Sequence, residues 1–117
     1  MKFAILIYET PEEFARRTGP DAAAYWSTWS AYFGALGART TAGACLQGPE
    51  TGALVRINGK GHEVQDGPYA DTKEQLGGFA IIEADTLDAA LEWAERCPAA
   101  SAGAVEVRPV LPMQAED

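Results

Sequence analysis

Histidine, cysteine and basic side chains are all scarce in this chain. His62 is the only histidine, and Cys45 and Cys97 are the only cysteines, among 117 residues. A single imidazole cannot build a multi-histidine metal centre, and the two cysteines lack short metal-ligand spacing. In an acidic soluble domain such a pair is more often reduced and buried than bridged. The sequence therefore predicts no metal site and no obligatory cofactor. Lys and Arg number 9 against 17 Asp and Glu, a net charge of −8. That balance disfavours nucleic acid and anionic membranes, whose binding depends on clustered cations. No apolar run approaches the roughly 20 residues of a membrane span. Met1-Lys2 leads at once into Phe3-Ala4-Ile5-Leu6-Ile7-Tyr8, too short and too uncharged at its start for a secretory signal. A cytoplasmic location is the expectation. No serine or cysteine stands in a recognisable nucleophile setting, and no glycine cluster has the spacing of a phosphate loop.

What is present is a regular alternation of apolar stretches. Residues 3–8 read as an inner strand ending at Glu9-Thr10-Pro11. From about residue 21 to 36, Ala22, Tyr25, Trp26, Trp29, Tyr32, Phe33 and Leu36 recur at helical spacing before Gly37. Packing on a sheet explains that aromatic stripe without a ligand, and Trp29 and Phe33 should both face the sheet. Residues 42–47 and 53–57 are short β-like runs, and Asn58-Gly59 offers a tight hairpin turn into His62-Glu63-Val64-Gln65. Residues 79–84 form another strand, and Asp85 or Thr86 can cap a helix carrying Leu87, Ala90, Leu91 and Ala94 on one face, closed by Cys97-Pro98. A last strand, 104–108, precedes a proline-containing tail expected on the surface or on a neighbouring subunit. The order β-α-β, hairpin insertion, β-α-β is the split unit of a ferredoxin-like α+β domain spanning residues 1–117. Both helices should cover one sheet face. Inner strands apolar on both sides leave the other face to a second copy, so a homodimer is expected.

The densest polar stretch is Asp66-Gly67-Pro68-Tyr69-Ala70-Asp71-Thr72-Lys73-Glu74-Gln75-Leu76-Gly77-Gly78-Phe79. It resembles the Asp-Gly-Pro-Phe-Ala-Glu-Thr-Lys-Glu signature of the YCII-related family, in its DGPF branch, departing at Tyr69 and Asp71. The similarity extends through Trp93 and the Val-Glu-Val-Arg-Pro run at 105–109. It implies a fold of the dimeric α/β-barrel type. It does not imply a reaction. Another branch of the family uses a His-Asp pair with the histidine near the first helix. Here residues 11–17 contain no histidine, so that dyad does not transfer.

Asp66 follows a strand and precedes Gly67-Pro68, so its carboxylate could project from a rigid turn as general base or substrate anchor; the competing reading is a turn aspartate bonding to nearby backbone N–H groups. Lys73 could set a positive charge against an anionic oxygen, or pair with Asp71 in a solvated loop. Glu74, adjacent to Lys73, points elsewhere and needs its own partner. Gly67 with Pro68 would fix the direction of Asp66, and Gly77-Gly78 permits close backbone approach to a ligand or to the facing subunit, although the two glycines could equally mark a bend or bulge. Tyr8, at the end of the first strand, and Tyr69 could orient a substrate oxygen, with core packing the main competing reading for Tyr8. His62, past a hairpin turn, suits a strand rim better than catalysis.

These residues give a catalytic pair, Asp66 and Lys73, with Tyr8, Tyr69, Glu74, Gly67 and Gly78 as binding residues. The groups suit a pocket for a small polar or aromatic molecule and a cofactor-independent lyase or isomerase working by acid–base chemistry. The rival reading is a non-catalytic ligand-binding or accessory regulatory module.

Overall fold

The computed structural model describes every residue except Lys60, Asp71 and 114–117. The Lys73–Asp71 pairing and the end of the tail lie outside the described residues. Strand β1 (Lys2–Glu9) leads to a short helix α1 (Pro11–Ala15) and a long helix α2 (Ala22–Leu36). Strands β2 (Thr40–Cys45), β3 (Ala53–Asn58), β4 (Gly61–Asp66) and β5 (Gln75–Glu83) follow, then α3 (Leu87–Arg96), α4 (Ala99–Ala102) and β6 (Ala104–Pro109). Four strands form one antiparallel sheet in the order β2-β5-β1-β6, while β3 and β4 pair only with each other. This is the ferredoxin-like arrangement with a hairpin inserted between its second and third strands.

Strand alternation separates the two faces. Phe3, Ile5 and Ile7 are buried on the helix side, with Gly78, Ala80 and Ile82 opposite them on β5 and Val105 and Val107 on β6. The intervening Ala4 and Leu6 share the other face with Phe79 and Ile81, and Ala42 and Ala44 of β2 continue it. Both helix ends obey local chemistry. Thr10 accepts a hydrogen bond from the Glu13 backbone N–H with Pro11 at the first helical position, and Thr86 caps α3 through the Ala89 N–H.

Three details differ from the sequence expectation. The turn at Glu9-Thr10-Pro11 opens α1, because a capping threonine followed by proline favours a helix start. Strand β5 begins at Gln75, so the Gly77-Gly78 pair lies inside it, with a bulge opposite Ile7 and Tyr8. Helix α3 packs through Ala90 and Ala94, while Leu87 and Leu91 remain 46% and 41% exposed. Small residues on the inner face bring α3 close to β1 and β6, and the leucines then have no layer to enter.

Candidate functional site

Helix α2 lies over the other half of the sheet. Its large side chains Trp29 and Phe33 face a floor of small residues, Gly43, Gly78 and Ala80. Bulky rings over a glycine and alanine floor leave a cleft of about 410 Å³ open to solvent. Its walls are mainly apolar: Ile7, Trp26, Trp29 and Phe33. The rings pack on one another, Trp29 stacking on Phe33 at 6.1 Å and meeting Tyr32 edge-on at 6.2 Å. The polar wall groups are few: Glu9, Tyr25, Ser30, Thr40 and Cys45. The Thr40 Oγ1 atom is buried without a hydrogen-bond partner.

Glu9 is the decisive group. It continues the inward alternation Phe3, Ile5, Ile7, and so places a carboxylate among core side chains at 3% exposure. A buried charge must be paired and hydrogen-bonded. The Tyr25 hydroxyl lies 2.7 and 2.9 Å from the two Glu9 oxygens, and Arg17 Nη2 donates to Oε1 at 3.2 Å. Arg17 also donates through Nε to the Tyr25 oxygen at 3.2 Å, through Nη2 to the Gly77 carbonyl and through Nη1 to the Leu46 carbonyl. The Trp26 indole N–H donates to the Arg17 carbonyl at 3.1 Å, fixing the loop that carries the arginine. Burial, followed by the hydrogen bond to Glu9, raises the Tyr25 pKa, so the phenol stays neutral and donates. Burial works against the Arg17 charge, but the bond to Tyr25 and the Glu9 anion outweigh it and its pKa rises. Gly77 makes room for this cluster: a Cβ there would stand 3.0 Å from both Arg17 Nη2 and Glu9 Oε1.

Of the residues singled out from sequence, Gly78 lines this cleft. Asp66 ends β4 and is exposed, and Lys73 and Glu74 are exposed on the connection to β5. Tyr69 is 73% exposed and stacks against the Arg56 guanidinium at 5.4 Å. The Gly67 N–H donates to the Gly52 carbonyl at the base of the hairpin. Tyr8 alternates with Ile7 and Glu9, lies on the face away from the helices, and donates to Glu106 at 3.2 Å. Burial first, then that bond, raises its pKa. The structure thus leaves Asp66, Lys73, Glu74, Gly67, Tyr69 and Tyr8 outside the cleft lining. His62 is exposed on β4 and Cys97 is buried, while Cys45 lies at the cleft. Among the described residues no group of three or more His, Cys, Asp or Glu side chains could hold a metal ion, and no helix is long and apolar enough to cross a membrane.

The cluster of Glu9, Arg17 and Tyr25 was missed from sequence because Glu9 reads as a turn residue beside Thr10-Pro11. The available signal was parity: Glu9 follows Phe3, Ile5 and Ile7 on one strand face.

A model of the YCII-related domain matches residues 1–114. The chain belongs to the YCII-related family. An uncharacterised protein of Rhizobium meliloti (strain 1021), R00369, is 45% identical over 65 residues, which cover 53% of this chain and 52% of that relative. The chain thus matches about half the length of that relative. Among solved structures, 5-chloro-2-hydroxyhydroquinone dehydrochlorinase from Burkholderia phenoliruptrix AC1100, in complex with 2,5-dihydroxybenzoquinone, aligns over 100% of both chains with a TM-score of 0.59 at 24% identity. At that identity the likeness speaks for the shared fold.

Proposed function

We propose that the cleft under α2 binds a small, neutral, hydroxylated aromatic molecule and removes a proton from it, in a cytoplasmic homodimer that works without a cofactor. The observation that carries this reading is the buried Glu9 carboxylate at the wall of an aromatic cleft. The ring walls suit a planar ligand, and the volume falls within the range of small-molecule sites. Glu9 supplies a hydrogen-bond acceptor for a ring hydroxyl, and the unpartnered Thr40 hydroxyl supplies a second polar point. No Lys, Arg or His lines the cleft among the described residues, which disfavours aromatic carboxylates.

The chemistry this supports is a lyase or isomerase step of the acid–base kind. Glu9 takes the hydroxyl proton, and the electrons released expel a leaving group or shift a double bond within the ring system. The solved fold relative is a dehydrochlorinase, which fits an elimination. Arg17, behind Glu9, is a positioning residue that holds the carboxylate oriented. The DGPF-segment reading, in which Asp66 and Lys73 carry the chemistry, requires a ligand or a second copy to reach their exposed loop. Glu9 already stands at the wall of a cleft within one chain, and we favour it.

Trp26 and Trp29 line the cleft and report on occupancy directly. Titration with resorcinol should quench their fluorescence saturably, and benzoate should not. Glu9→Gln should weaken the resorcinol response while leaving the far-ultraviolet circular dichroism unchanged. Equal binding of benzoate, or unaltered resorcinol binding in Glu9→Gln, would remove the basis for this assignment.

A further inference from the structure

The β3–β4 hairpin has two unlike faces. Direct cross-strand partners share a face, so Val55 with Val64 and Ile57 with His62 lie together, while Arg56 with Glu63 lies on the opposite side. Val55 is 59%, Val64 64% and Ile57 82% exposed, so this face, which also carries His62 and, at the hairpin base, Ala53 and Asp66, holds three uncovered branched apolar side chains. A two-stranded hairpin without a packed face is marginal in water. β3 and β4 make their extensive contacts only with each other.

The hairpin also projects from the body. The radius of gyration is 16.1 Å, whereas compact packing of a chain this long gives about 13 Å. The molecule is only 18 Å through its thinnest axis. One sheet and one helix layer account for that thickness, so the hairpin extends beside the sheet and leaves the open face formed by Leu6, Phe79 and Ile81 uncovered.

We infer that the apolar face of this hairpin is an arm that packs on a second copy of the chain, completing a dimer centred on the open sheet face. The inference rests on the homodimer of the functional reading and adds which segment closes it. Areas decide the occupant. At about 4.8 Å between strands and 3.3 Å per residue, the open four-stranded face presents about 380 Å². A standard stable interface buries about 800 Å² of accessible surface on each partner, a measure that exceeds flat area because side chains corrugate the face. An arm face of about 200 Å², with an equal patch covered by the arm of the other copy, doubles the flat area that each protomer brings to about 780 Å², enough for an interface of standard size. Two-fold symmetry supplies both arms at once, which a single unrelated partner would not.

The test is sedimentation velocity over a micromolar dilution series on the full chain. The unaltered protein should be a dimer. Val55→Lys combined with Ile57→Lys should shift it to monomer, weakening the dimer at least about a hundredfold, and Val55→Thr with Ile57→Thr, which keeps β propensity, about tenfold. Native near-ultraviolet circular dichroism in each variant would show that the core is intact. As a second measure, hydrogen exchange in β3 and β4 should be slow in the dimer and accelerate on dilution. An unaltered protein that stays monomeric would overturn both the arm and the homodimer. A dimer untouched by the lysine pair, or hairpin exchange independent of concentration, would overturn the arm and leave the homodimer standing.

Discussion

Replacing Arg17 with methionine isolates the energetics of the buried cluster. Methionine keeps much of the apolar stem but removes the guanidinium, and with it the hydrogen bonds to Glu9, Tyr25, Leu46 and Gly77. The side chains of Arg17 and Glu9 are only 11% and 4% exposed, so water can do little to rescue the stranded carboxylate. Breaking a buried pair by deleting one partner typically costs about 3–5 kcal/mol. Tyr25 still donates to Glu9 and places the expected loss near about 3 kcal/mol, the lower end of that range. Urea unfolding followed by tryptophan fluorescence measures it, since Trp29 packs in the same core.

The control is the double variant Glu9→Gln with Arg17→Met. It removes the charge that methionine strands, so it should recover at least about 1 kcal/mol relative to Arg17→Met alone. A single-variant loss below about 1 kcal/mol, the typical worth of an exposed pair, or a double variant no more stable than the single, would refute the claim that Glu9 is held as a buried anion by Arg17.

Three further outcomes are expected. Trp29→Ala should destabilise by about 3–5 kcal/mol, since Trp29 is buried in the ring stack; urea unfolding checks it, with a loss under about 1 kcal/mol speaking against a core role. Asp66→Asn should change stability by less than about 0.5 kcal/mol because Asp66 is exposed; retained resorcinol binding would separate it from Glu9, and lost binding would return Asp66 to the site. Burial pushes the Cys97 thiol up to about 11 from 9.0, so a thiol reagent at pH 8 should modify only exposed Cys45 in the native protein and both cysteines in urea. The neutral thiol is favoured by the folded state, so the Cys97 contribution to stability is intact below pH 9 and lost as pH rises through about 11.

The fold was legible because its elements are specified by strong local patterns. The odd-numbered apolar residues of β1, the three- and four-residue spacing of Tyr25, Trp29, Tyr32 and Leu36, and the Thr86 cap each state their element in a few residues. Element faces were less legible. Helix α3 carries both a leucine pair and an alanine pair, and spacing alone cannot say that close approach to the sheet selects Ala90 and Ala94 over Leu87 and Leu91.

The site was the least legible part, for a physical reason. Sequence reading looks for dense polarity, and polarity concentrates where water already satisfies it, as at the exposed Asp66, Lys73 and Glu74. Glu9 instead closes an apolar strand beside Thr10-Pro11 and passes along the chain for a turn residue. Its partners arrive from elsewhere: Arg17 from the α1–α2 connection and Tyr25 from α2, eight and sixteen residues away. Only folding brings them within hydrogen-bond reach of Glu9. What sequence does offer is the anomaly of a charged residue on the inward face of an apolar strand. Gly77 adds a second trace of the same cluster, since the bulge at this glycine opens the space that Arg17 and Glu9 occupy. An inward charge and a bulge glycine on the neighbouring strand together point to the cleft more directly than the polar segment between the strands does.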